Sequence, residues 1–171
     1  NPHRLTGFCT VPAGETLVLE AGVTLEGQGR TLRVEGTLTA NGVTLTDVFL
    51  EYRDGSGGTL QNSTLSGSTG AFFTGSSVTS AAAPTLRGNT LTVTSVGFDV
   101  RGTARPILRN NTVTTNGVGL RYFDSAAGSA SGNTITFTPE GSNGRRRIEV
   151  NAAASPTLDS NTITDDPLRL D

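Results

Sequence analysis

The chain has no tryptophan, no methionine and no lysine, and a single cysteine and a single histidine in 171 residues. Aromatic residues make up 5% and hydrophobic residues 34%, too few for a thick layered core. A solenoid whose interior is one side chain wide tolerates that deficit. No apolar run is long enough for a membrane-spanning helix, so no membrane insertion is expected. A net charge of −2 gives no electrostatic footprint for nucleic acid. All 13 cationic residues are arginine, the better partner for carboxylates. The lone Cys9 excludes an internal disulfide and stands as a candidate intermolecular contact. The chain begins at Asn1 without Met and shows no signal peptide, which predicts a processed or excised chain. An extracellular or cell-surface location is the matching expectation.

What is abundant is repetition. The phrase Asn-Thr-(aliphatic)-Thr occurs at Asn89–Thr92, Asn111–Thr114, Asn133–Thr136 and Asn161–Thr164, with a degenerate copy at Ser63–Ser66. The spacings are 26, 22, 22 and 28 residues. A fixed period in this range predicts a solenoid. An apolar or small residue precedes each copy by three: Leu60, Leu86, Leu108, Ala130, Leu158. Alternating apolar pairs follow, Phe98/Val100 and Leu120/Tyr122, with Phe72 fitting the first inward place after Ser63 and Ile148/Val150 the pair after Asn133. The longer spacings add loops to a 22-residue core repeat, within 75–84 and 138–144.

Each unit holds three runs of period-two alternation, punctuated by Gly, Asn, Ser or Pro, and no helical stripe. The fold expected is all-β, a parallel β-helix of about seven coils. Thr and Val suit its pleated surface. The repeated Asn falls in a turn, where its side chain can bond main chain; stacked coil on coil, Asn89, Asn111, Asn133 and Asn161 predict a structural hydrogen-bonded ladder. The expected layout is a tail at 1–10 and one β-helix domain at 11–171. Its opening coils lie at 11–50, regular repeats at 51–165 and a C-terminal end at 166–171.

Residues 11–50, strand-like with Gly every six to eight residues, resemble the opening coils of bacterial right-handed parallel β-helix domains of the pectate-lyase-like superfamily. The Pro-Thr-Leu phrases leading into the Asn-Thr copies, Pro84–Leu91 and Pro156–Ile163, with Pro106–Val113 carrying Ile for Thr, resemble that superfamily's short repeats. The resemblance spans nearly all of 11–165 and implies the right-handed β-helix. It implies no single function, since the superfamily includes lyases, hydrolases, epimerases, adhesins and phage spikes.

The catalytic relatives' signatures are not recognised. Asp165-Asp166 is the one acidic doublet, and His3 sits far from it in the N-terminal segment. Arg147-Ile148-Glu149 only faintly echoes a basic motif. No three acidic residues align for calcium, which wants six to eight oxygens. No metal or cofactor is therefore expected. Asp99, Arg121 and Glu149 occupy one outward place on consecutive coils and are expected as a solvated, pairing charge ladder. Arg145, Arg146 and Arg147 end the second loop and are candidate contacts for an acidic glycan or partner. Thr90/Thr92, Thr112/Thr114, Thr134/Thr136 and Thr162/Thr164 form a candidate threonine face of two rows, about 4.8 Å apart between coils.

No amphipathic cap is visible at either end, and uncovered sheet edges recruit other strands. The first expectation is a non-catalytic secreted or surface structural module, associating end to end with itself or with a neighbouring domain of a longer chain. The alternative is a carbohydrate-active or polysaccharide-binding β-helix; the third is ice binding through the threonine face.

Overall fold

The computed structural model describes residues 2–77, 79–138, 148–151 and 153–165. The strands are β1 (His3–Arg4), β2 (Cys9–Val11), β3 (Thr16–Leu19), β4 (Thr24–Val34), β5 (Thr37–Asn41), β6 (Thr44–Tyr52), β7 (Gly57–Gln61), β8 (Thr64–Gly75), β9 (Thr85–Arg87), β10 (Thr90–Gly102), β11 (Ile107–Arg109), β12 (Thr112–Thr115), β13 (Val118–Tyr122), β14 (Ser129–Ser131), β15 (Thr134–Phe137), β16 (Ile148–Val150), β17 (Thr157–Asp159) and β18 (Thr162–Asp165). They form two parallel sheets, one eleven-stranded and one seven-stranded, and no helix occurs among the described residues. The long strands β4, β6, β8 and β10 run through a bend, so each coil presents a first limb, a second limb and a strand of the smaller sheet.

Register fixes the coil. Thr24, Thr44, Thr64, Thr90, Thr112, Thr134 and Thr162 pair in sequence, giving seven rungs and six turns with steps of 20, 20, 26, 22, 22 and 28 residues. On the first limb the opening coils thus step by 20 residues, while on the second limb Leu32 pairs with Leu50 and Leu50 with Ala71 because the bends differ in length. Their marker is lost because Val23 and Val43 stand where later coils carry Asn. The sheet also starts before the boundary expected at residue 11: β1 pairs with Leu25–Glu26 and β2 with Leu32–Val34.

The core is stacked columns of inward residues. Ala40, Leu60, Leu86, Leu108 and Ala130 line the smaller sheet, Leu45, Leu65, Leu91, Val113 and Ile135 the first limb, and Val34, Tyr52, Phe73, Val100 and Tyr122 the second, all buried. Tyr52 and Phe73 stack at 5.4 Å. One expected inward place moves. Ala71 and Phe73, not Phe72, align with Phe98 and Val100, because the coil at Thr64 has one residue fewer at the bend, where the register shifts. Phe72 therefore lies on the outer face, opposite Asp99.

The asparagine ladder closes the turn before the first limb. Asn111 Nδ2 donates to Leu86 O (2.9 Å) and to Asn133 Oδ1 (2.9 Å), while its Oδ1 accepts from Asn89 N and Nδ2 at 3.0 Å. Asn89 and Asn133 donate in the same way to Leu60 O and Leu108 O and to the next asparagine, and Asn161 ends the ladder, accepting from Asn133 and donating to Ala130 O. At the N-terminal side Ser63 N donates to Asn89 Oδ1, and Ser63 Oγ accepts from Val43 N. From Asn89 to Asn161 each rung is thereby tied to the next, and the buried amides of Asn89, Asn111 and Asn133 each bond one main-chain carbonyl and the next asparagine.

Candidate functional site

The outer face of the second limb carries the densest polar chemistry. Strand alternation turns Arg33, Glu51, Phe72, Asp99, Arg121 and Glu149 outward at one register position on successive rungs. The expected alignment of Asp99, Arg121 and Glu149 is present, but the solvated setting expected for it is not: Asp99 is only 3% exposed, although it points away from the core. Long arginine stems and phenylalanine rings cover it, and apolar stems spread over a sheet can bury what lies beneath.

Two buried carboxylates anchor this layer, each between two arginines. Glu51 receives Arg33 Nε at 2.7 Å and Arg53 Nη2 at 2.8 Å. Asp99 receives Arg101 through Nε (3.0 Å) and Nη2 (2.9 Å), and Arg121 through Nε (3.1 Å) and Nη2. The rings complete the cover. Arg33 lies 4.6 Å from the Phe8 centroid, Arg101 5.4 Å from Phe72, and Arg121 5.3 Å from Phe123, with Phe49 and Phe72 in contact at 5.9 Å. Phe8, Arg53 and Arg101 keep substantial exposure, so the face shows water an arginine–aromatic surface over hidden carboxylates.

Burial alone would raise the Asp99 carboxyl. The hydrogen bonds from Arg121 and Arg101, with their charges, outweigh it and hold the group below the usual carboxylate range. Asp99 is therefore a fixed anion. General-acid work would need the opposite shift. A depressed folded-state value means the pair stabilises above the unfolded value, near pH 3.9, and loses its contribution as pH falls through the folded value. Asp99→Asn is accordingly expected to lower stability by about 2 kcal/mol at pH 7, a deficit that shrinks below about pH 4. Urea unfolding of both proteins across pH 2–7 measures it. A deficit independent of pH would contradict this reading.

The other expected positions resolve as follows. Cys9 is half-buried, its Sγ 3.7 Å from Gly7 O, and packs against the N-terminal end of the core. The threonine rows are in register, Thr136 and Thr164 hydroxyls lie 3.0 Å apart, and the rows extend to Thr24, Thr44, Thr46 and Ser66. Arg145, Arg146, Arg147 and Asp166 lie outside the described residues. Among the described residues no group of three or more His, Cys, Asp or Glu is placed to hold a metal. Arg33, Glu51 and Arg53 were not expected at a site, and Phe72 was expected on the inner face. A 20-residue step would have set Arg33 against Arg53; Arg33 pairs with Glu51, 18 residues on, because β4 carries two more residues than β6 at the bend.

No curated protein and no solved structure matches the chain. The family model for the right-handed β-helix region matches residues 21–167. With the parallel coils and their stacked asparagines, that match places the chain in the right-handed β-helix family.

Proposed function

We propose that the chain is a non-catalytic structural module of an extracellular or cell-surface protein that associates end to end. The observation that carries this is the apolar last rung of the described residues. Leu158, Ile163 and Val150 are 41%, 38% and 46% exposed, whereas their counterparts one rung earlier, Ala130, Ile135 and Tyr122, are at most 1% exposed. At the other end Leu17, Leu19 and Cys9 are half-buried around an open mouth that reaches Leu25 and Leu32. Both ends show the cross-section of one solenoid, with the edge strands β3 and β17 terminating the smaller sheet. A second copy stacked head to tail would cover apolar surface and pair strand edges in one contact, and that heterologous contact repeats. The two buried carboxylates agree with a non-catalytic role, since each is held by paired arginines.

Light scattering over a concentration series tests the reading. The wild type should gain mass with concentration, and Ile163→Glu, which places a charge on the terminal rung, should remain a monomer. A wild-type mass fixed at one chain up to millimolar concentration would remove the proposal.

A further inference from the structure

The three outer faces of the coil differ in what they show. The second limb mixes arginine, carboxylate and phenylalanine. The smaller sheet mixes Val18, Thr39, Ile107 and Ser129 in one column. The first limb is uniform. Its first outward place is threonine on all seven rungs, from Thr24 to Thr162. Its second, two residues on, is threonine on five, with Ser66 and Glu26 on the other two. Threonine suits strands, but that preference acts on every strand and would fill all three faces alike. Here it fills one.

The face is also regular in two directions. Rungs lie about 4.8 Å apart and the two rows about 6.7 Å apart along each strand, so seven rungs span about 29 Å. Register shifts fall beyond the threonine pairs, between Glu26 and Arg30, Thr46 and Leu50, and Val93 and Val96. Coils of different length therefore keep the rows aligned. Beneath them Leu45, Leu65, Leu91, Val113 and Ile135 are buried and fix the strands. Threonine is stiff at χ1, so its hydroxyl and methyl hold their places. Thr136 and Thr164 bond each other, and Thr164 Oγ1 lies 3.5 Å from Ile135 O. The other threonine hydroxyls of the face have no partner among the described residues, and none of these threonines is buried.

We infer that this face binds the surface of ice. Its hydroxyls hold first-shell waters at fixed spacings, and its methyls leave the waters between them bonded to one another. A layer ordered in two directions joins a crystalline water lattice at little further cost, because the side chains beneath are already fixed. A charged polymer fits less well. Glu26 is the one ionic group in the two rows, and Arg4 bonds it at 2.7 Å. The inference does not rest on end-to-end stacking.

Slow freezing of a dilute solution onto a cold probe tests it. Protein held in the ice is compared with protein left in the liquid, and crystal shape is followed on a cooled microscope stage. The wild type should be enriched in the ice and should facet the crystals. Thr112→Tyr places a ring at the centre of the face and should abolish both effects. Tyrosine suits a strand and Thr112 is exposed, so the fold should survive, with the urea midpoint as the check. Thr92→Lys, also exposed, should act in the same way and guards against a folding loss at Thr112. Thr39→Tyr makes the same change on the smaller sheet and should leave both effects intact. The inference fails if the growing ice excludes the wild type, or if folded Thr112→Tyr and Thr92→Lys bind as the wild type does. It also fails if Thr39→Tyr loses as much as Thr112→Tyr.

Discussion

Replacing Asn111 with alanine is expected to cost about 2–4 kcal/mol of folding stability, against an overall stability that is itself only several times larger. The substitution removes one side chain but unpairs several neighbours. Asn89 N–H loses its acceptor, Leu86 O loses its donor, and Asn133 Oδ1 loses one of two donors. All of these groups are buried, so water cannot replace what is lost. Asn161→Ala should cost less, because Asn161 is only half-buried and solvent reaches its partners. Urea unfolding midpoints for the two variants give the comparison. Equal losses below about 1 kcal/mol would mean that the ladder follows from the stack and does not hold it.

A second large loss is expected at Gly97→Ala. Gly70, Gly97 and Gly119 share one register position near the bend between the limbs. A Cβ on Gly97 would lie 2.4 Å from Gly119 O and 2.6 Å from Val113 Cγ1. One obstacle is backbone of the next rung and the other a buried core side chain, so relief requires the rungs to part. Overpacking of this kind costs about 3 kcal/mol. Gly7→Ala is the matched control, since nothing lies within 4 Å of the added carbon. Similar midpoints for the two variants would show that the bend has slack.

The repeat, the inward columns and the asparagine ladder were legible because each depends on a local pattern. Alternation assigns a side chain to the inside or the outside, and the Asn phrase marks the turn. Three things were not legible, each for a physical reason. The opening coils hide their 20-residue step because valine replaces the marker asparagine. Phe72 was placed one position off because the bend in its coil is a residue shorter. Asp99 was expected in water because alternation says which way a side chain points, not what lies over it. Its burial comes from Arg101, Arg121, Phe72 and Phe123, drawn from several rungs, and their overlap depends on side-chain reach across the sheet. The arginines of the smaller sheet were visible as residues. The 22-residue repeat sets Arg87 opposite Arg109, and only the structure shows that neither bonds a carboxylate among the described residues.

End-to-end association is the central claim, and electron microscopy of the purified chain at high concentration tests it most directly. Seven rungs should contribute roughly 34 Å of axis per copy. The expected result is rods whose lengths fall at multiples of that unit, with strands perpendicular to the rod axis. Single particles of one-unit length at every concentration, or side-by-side clusters without a common axis, would contradict it.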